Sequence, residues 1–287
     1  MRVLIVGCGY IGRAVGAELV STGHEVYGLR RSAEAAANLE ASGIRFLSGD
    51  IRKPGDLERL PGDYDWVVNC VAAAGSDQYE SVYVEGNRNL VRRFAARPPQ
   101  KYVYTSSTGV YGQTDGSLVD ESSPTQPDTE TGRMLVRAEE VLRAAVGEGF
   151  PAVILRVSGI YGPGRGYWLR QFLSGLAVME GRGERWLNMV HREDVAGAIV
   201  AALARGVPGE TYNVSDDEPV MQLEVYQWLA ARLGKPLPPA SAGEPVLKKR
   251  GTTNKRIANR RLRHELNYQL RYPSFRDGYE VELKSRL

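Results

Sequence analysis

Gly7-Cys-Gly9-Tyr-Ile-Gly12 constrains this chain more than any other stretch, because glycines at that spacing directly follow the apolar run Val3–Val6 and lead into a helical pattern. Ile11, Ala14, Val15 and Leu19 recur at helical spacing, and Gly23 stands where a left-handed cap would end the helix. In such a strand–turn–helix the first glycine makes the tight turn. The second lets a pyrophosphate reach the backbone, and the third lets helix and strand pack closely. Unpaired N–H groups and the helix dipole then face the phosphates. The motif therefore predicts a dinucleotide site around Gly7, Gly9, Tyr10, Ile11 and Gly12.

The remaining chain supports this reading. Short apolar runs at Val3–Val6, Val26–Leu29, Ile44–Leu47, Trp66–Val71, Tyr102–Tyr104 and Val153–Leu155 alternate with helical patterns, as buried parallel strands joined by crossover helices do. The expected fold is α/β: a Rossmann doubly wound parallel sheet with a small discontinuous C-terminal substrate lobe. The sheet domain is assigned to residues 1–162 and 189–214, and the lobe to 163–188 and 215–287. The turn-rich stretch Thr114–Thr131 is long for a connection and lies where a substrate lid would be.

Composition narrows the setting. A formal net charge of +3 over 287 residues is too small to imply a nucleic-acid partner. Two cysteines, Cys8 and Cys70, form neither a CxxC pair nor a disulfide framework. The start lacks a signal-peptide pattern, and no apolar run approaches the roughly 18 residues of a membrane span. A cytoplasmic protein with no membrane partner is expected.

About 20 residues after the glycines, NAD-binding domains place an acid on the ribose 2′-hydroxyl. Here stand Arg30 and Arg31, whose guanidinium groups suit a 2′-phosphate. NADP(H) is thus preferred over NAD(H), unless the arginines merely begin the next helix on its solvated side. Asp50 and Ile51, after the third strand, are placed to border the adenine, although Asp50 could equally be a helix cap.

Further motifs are Gly49-Asp50-Ile51, Val71-Ala-Ala73, Ser106-Ser-Thr-Gly-Val-Tyr-Gly112, Leu155-Arg-Val-Ser-Gly-Ile-Tyr-Gly-Pro163, Val190-His-Arg-Glu-Asp-Val195 and Tyr212-Asn-Val-Ser215. Over nearly the whole chain these resemble the extended short-chain dehydrogenase/reductases, the NAD-dependent epimerase/dehydratase family. The resemblance implies a cofactor lying over the sheet and a substrate held by the C-terminal lobe. It aligns Ser107 with the family's catalytic Ser/Thr, and Val71, Ala72, Ala73 and Ile160 with backbone bordering the nicotinamide. Val6 stands where the extended pattern has its first glycine, so the chain looks like the atypical branch. The family's usual helix-bundle homodimer is a possible assembly.

Family catalysis relies on a Tyr-x-x-x-Lys pair, whose spacing stacks both side chains on one helix face. The ammonium lowers the phenol's pKa so that it can exchange a proton with the substrate oxygen. Thr131 and Leu135 occupy those positions, and from Ser106 to Phe150 there is no lysine and no tyrosine except Tyr111. Loss of a positioned acid typically costs about 10²- to 10⁴-fold in rate. Tyr111, four residues after Ser107, is the candidate substitute, and its alternative is a packed loop aromatic. His191 titrates near neutral pH when unperturbed, with a helix-capping role as the alternative.

On the substrate side, Leu187 and Asn188 replace the Arg-Asp pair usual in nucleotide-sugar members. Arg182, Arg185 or Arg192 could supply charge, and Tyr161, Tyr167, Trp168 and Trp186 could line an apolar pocket. Tyr161, Trp168, Asn188, His191 and Arg192 are the substrate candidates. The basic stretch Lys248–Arg263 reads as a solvated helix that buries Ile257 and Leu262 and could touch an anionic substrate, without a nucleic-acid partner. The histidines lack ligand spacing, so no metal site is expected. Two functions follow: an NADP(H)-dependent oxidoreductase or epimerase on an unknown small molecule with a non-standard proton donor, or a non-catalytic NADP(H) sensor.

Overall fold

The computed structural model describes residues 1–32, 34, 36–241 and 253–284. The first half lays down β1 (Arg2–Val6), α1 (Tyr10–Ser21), β2 (Glu25–Arg30), α2 (Ala36–Glu40), β3 (Arg45–Ser48), α3 (Pro54–Glu58) and β4 (Trp66–Asn69). A 3₁₀ turn (Ser76–Gln78) and a π-helix (Glu80–Glu85) then lead into α4 (Gly86–Phe94). There follow β5 (Lys101–Ser107), a two-residue strand β6 (Leu118–Val119), α5 (Glu130–Gly147) and β7 (Ala152–Val157).

The last part holds β8 (Gly159–Tyr161), α6 (Tyr167–Leu173), β9 (Trp186–Leu187), β10 (Met189–His191), α7 (Arg192–Arg205), β11 (Thr211–Val214), β12 (Val220–Met221), α8 (Gln222–Leu233), β13 (Arg256–Ile257), α9 (Arg260–His264) and α10 (Phe275–Lys284). Seven strands form one parallel sheet in the order β11-β7-β5-β4-β1-β2-β3. Six match the apolar runs of the sequence, and β11 is the edge strand that carries Tyr212-Asn-Val.

The continuous apolarity of the strands follows from burial on both faces. Within β1, Val3 and Ile5 join one core with Val15, Leu19, Val195 and Ile199 of α1 and α7. Leu4 and Val6 join the opposite core with Leu90, Phe94, Ala138 and Leu142 of α4 and α5. The period of two sends alternate side chains to opposite faces, and each fully buried aliphatic contributes roughly 1.5–3 kcal/mol. Strand order reverses between β1 and β4, so a crevice opens at their carboxyl ends, where doubly wound sheets bind ligands.

A third core fills a smaller lobe, in which Trp168, Phe172, Leu187, Tyr226, Leu229, Phe275 and Tyr279 bring α6, α8 and α10 together. The segment after β13 behaves differently from the rest of this lobe: Leu262 and Leu266 pack into the sheet core. Its charges are paired at the surface, Arg261 with Glu210 and Glu265, and Arg263 with Asp217. Lys248–Arg250 of the basic stretch lie outside the described residues. Among the described residues no helix is long and apolar enough to cross a membrane.

Candidate functional site

The crevice at the strand ends holds a groove of about 580 Å³, lined by Gly7, Gly9, Tyr10, Ile11, Arg30, Arg31, Asp50, Ile51, Val71, Ala72 and Ile160, among others. Gly7 has φ +80°, and a Cβ there would lie 2.6 Å from the Val71 Cα, so only glycine fits so close to the end of β4. Over Gly9 the space is open: a Cβ would meet only the Gly7 carbonyl, at 3.8 Å. No side chain caps α1 and its first turn holds no acid, which leaves its N–H groups for an anion. Gly12 has the other glycine role, buried where a Cβ would press on Ile5 at 2.9 Å and on Cys70 at 3.2 Å. Gly12 and Ala73 lie behind the groove wall rather than on it, and the Ala73 N–H donates to the Tyr83 hydroxyl (3.1 Å).

At the far end of the groove Arg30 and Arg31 are joined by Arg52, which sequence reasoning had not singled out. Arg52 grips Asp50 through its Nε (3.0 Å), its Nη2 (2.5 Å) and its backbone N–H (3.0 Å). These bonds hold the Asp50 carboxyl below the usual carboxylate range, against the opposing effect of burial. The open cradle above Gly9, the uncapped helix and the arginine-rich end together fit a dinucleotide.

A second cavity of about 400 Å³ adjoins the groove, and Tyr79, Ser107 and Leu135 line both. Its walls include Thr131, Trp168, Arg185, Trp186, Leu187, Asn188 and Lys255. Thr131 and Leu135, at the two dyad positions of α5, thus sit on the cavity wall and at the junction. The Ser107 Oγ accepts from the Gly109 N–H (3.1 Å), which leaves its own proton free to donate.

The remaining sequence candidates lie elsewhere. Tyr111 lines neither cavity: it is fully buried, and its hydroxyl accepts from Arg156 Nη1 and donates to Asn213 Oδ1, both at 2.8 Å. Away from both cavities, that hydroxyl is out of reach as the substitute acid, and burial also pushes its pKa up. His191 caps α7, with Nδ1 accepting from the Glu193 N–H (3.2 Å), and burial lowers its pKa to about 4. Its ring is packed against Tyr161 and Tyr272 away from both cavities. Tyr161 is buried in the lobe core and donates to the Ser274 carbonyl (3.3 Å). Arg192 pairs with Glu193 and lies over the Tyr10 ring. Of the substrate candidates, Trp168 and Asn188 face the cavity, whereas Tyr161, His191 and Arg192 do not.

The expected lid is instead pinned. β6 pairs with β13 in parallel, and backbone bonds tie Gly116 to Asn254, Asn254 to Gln113, Arg256 to Ser117 and Ala258 to Val119. Asn188 holds the same strap from the other side, donating to the Lys255 carbonyl (2.9 Å) and accepting from the Ile257 N–H (2.8 Å). This brings Lys255 into the cavity wall. Along the strap burial alternates at Lys255, Ile257 and Asn259, as in an extended strand rather than a helix.

The family described as NAD dependent epimerase/dehydratase matches residues 3–215. Protein YeeZ of Escherichia coli strain K12 is 30% identical over 277 residues, covering 95% of this chain and 96% of that protein. The 3-diazoavenalumate denitrifying reductase of a Streptomyces species is 27% identical, with 97% and 99% covered. The crystal structure of UDP-glucuronic acid 4-epimerase from Bacillus cereus, in complex with UDP-glucuronic acid and NAD, superposes with a TM-score of 0.84 at 22% identity, over 99% of this chain and 98% of that one. At that identity the likeness is one of fold.

Proposed function

Because the chain belongs to the NAD-dependent epimerase/dehydratase family, we propose that it is an NADP(H)-dependent oxidoreductase or epimerase acting on a small molecule held between the sheet and the lobe. The observation that carries this reading is the meeting of the dinucleotide groove and the side cavity at Tyr79, Ser107 and Leu135. The 2′-phosphate preference is supported by Arg30, Arg31 and Arg52 at the far end of the groove, where the Asp50 carboxylate is taken up by Arg52. When bound, the nicotinamide supplies the acceptor or donor of the electron pair for chemistry at a carbon bearing oxygen.

Ser107 then donates a hydrogen bond to the substrate oxygen. Tyr79 is the other proton-bearing side chain common to both cavities, and its phenol takes over the exchange that the family assigns to a tyrosine on α5. The absence of a lysine four residues along α5 removes the nearby ammonium that would make such a phenol more acidic. Slower turnover than in dyad-bearing relatives is therefore expected. Thr131 and Leu135 at the dyad positions also favour a second reading, a protein that binds NADP(H) without turnover.

Calorimetric titration of cofactor-stripped protein with NADPH, NADP⁺, NADH and NAD⁺ tests the assignment. Arg30→Asp combined with Arg31→Ala should weaken NADP(H) binding by about 10- to 100-fold for each charge-assisted bond lost, at roughly 1.5–3 kcal/mol per bond, and NAD(H) binding far less. Equal losses for both would overturn the 2′-phosphate assignment. Binding followed by turnover in a nicotinamide-absorbance screen supports the enzyme, and binding without turnover supports the sensor.

A further inference from the structure

Lys255 lies beyond the residues 3–215 that match the family, and its setting is unusual. It is 6% exposed, and its Nζ donates to the Tyr111 carbonyl at 2.6 Å. An ammonium has three donors, so at least one more must be satisfied. Among the described residues no carboxylate is within ion-pair distance of it. Arg185, the other cation of the wall, is already paired with Glu180 at 3.0 Å, and the Asp128 carboxylate on the same wall acts on Lys255 through space.

Burial lowers the Lys255 pKa to about 8, with Arg185 adding to the shift and Asp128 opposing it. A buried cation left short of partners costs free energy that an incoming anion relieves. The rest of the wall describes the body of the ligand. Tyr79, Trp168 and Trp186 present rings and Leu135 and Leu187 present aliphatic surface, around a space of about 400 Å³. That is the low end of the roughly 300–1,000 Å³ of small-molecule sites, enough for one or two rings.

We infer that the side cavity is a site for a planar aromatic acid, whose single carboxylate is received by the Lys255 ammonium while its ring packs among Tyr79, Trp168 and Trp186. Arg185 is paired with Glu180, and Asp128 adds a negative charge to the wall beside Lys255, so the cavity suits a single carboxylate better than a phosphate dianion. This inference deepens the functional reading above and rests on the cavity being its substrate site. Since Lys255 must be protonated to receive the acid, binding should weaken as pH rises from 7 to 9.

The test is calorimetry on the full chain with 4-hydroxycinnamate, its methyl ester, cyclohexanecarboxylate and inorganic phosphate, each with and without NADPH. The acid is expected to bind about 10- to 100-fold more tightly than the ester, the scale of one charge-assisted bond. It should also bind more tightly than cyclohexanecarboxylate or phosphate. Lys255→Met should abolish the preference for acid over ester, and Lys255→Arg should restore part of it. The ester and phosphate arms use the unaltered protein, so the question is decided even where a variant folds poorly. Equal binding of acid and ester, phosphate binding as tight as the acid, or no binding of any acid overturns the inference. NADPH binding in the same sample separates the two readings: cofactor bound and acid refused defeats only this one, whereas cofactor refused defeats the functional proposal.

Discussion

Arg156 enters the protein interior because every charge around it is answered. Its guanidinium is 3% exposed and faces the fully buried Glu139, with Nη2 to Oε2 at 2.8 Å and Nε to Oε1 at 3.1 Å. Ser106 donates to the same carboxylate at 2.6 Å and Arg143 at 3.0 Å, while Tyr111 accepts from Arg156 and passes its own proton to Asn213. Removing one member of such a network leaves the others short of a partner in a dry setting. Tyr111→Phe is therefore expected to cost about 1–3 kcal/mol of stability in urea unfolding, with NADPH affinity unchanged in calorimetry. Lost turnover or affinity at unchanged stability would return Tyr111 to the reaction. Sequence spacing gave Tyr111 as a candidate because it stands four residues after Ser107, but the 3₁₀ turn Thr108–Val110 lies between them. That turn changes the direction of the chain, and local spacing does not reveal it.

At the level of elements, the two ends of the glycine turn make separable contributions. Gly9 faces open groove, whereas Gly12 lies in the contact between α1 and the sheet. Gly12→Ala must displace Ile5 and Cys70, so it should lower the midpoint of denaturant unfolding more than Gly9→Ala, as overpacking by about 1–3 kcal/mol predicts. Gly9→Ala puts a methyl where the pyrophosphate approaches and should weaken NADPH binding the more of the two. The reverse ranking in a paired urea and calorimetry experiment would show the glycine roles to be misassigned. This turn and the strands that flank it were legible in the sequence, since a strand buried on both faces is continuously apolar and a phosphate turn needs glycine at fixed spacing. The strap that carries Lys255 was not. Its structure comes from pairing β13 with the distant β6, and two residues of strand leave almost no periodic signal. The basic residues around it looked like a solvated helix, although among the described residues of that stretch only Arg260–His264 form one.

Across the whole molecule, the sheet and the lobe are joined where β10 turns into α7, and buried titrating groups there make stability depend on pH. Asp194 is buried and accepts from the Tyr268 hydroxyl (2.9 Å) and from the N–H groups of Arg271 (2.7 Å) and Tyr272 (3.0 Å), which ties the C-terminal segment to α7. Nearby, His191 is buried, and its pKa falls from 6.5 to about 4. It stays neutral in the fold while the unfolded chain takes up a proton. Its contribution to stability is present above about pH 6.5 and is lost as pH falls through about 4. Asp216 acts in the opposite direction: burial raises its carboxyl well above the usual range, the Glu218 backbone N–H opposes the shift, and the charges of Glu218, Asp217 and Asp194 add to it. The folded state favours its protonated form, so that contribution is complete in acid and is lost as pH rises through the raised value. Asp216→Asn keeps the shape and removes the ionisation, so thermal melts should show a Tm gain over the unaltered protein at pH 8 that shrinks towards pH 5. His191→Gln keeps a side-chain acceptor for the α7 cap and should flatten the loss of Tm between pH 6.5 and 4. An Asp216→Asn variant that melts lower by the same margin at every pH would mean that this carboxyl is ionised in the fold, and that the junction tolerates a buried charge.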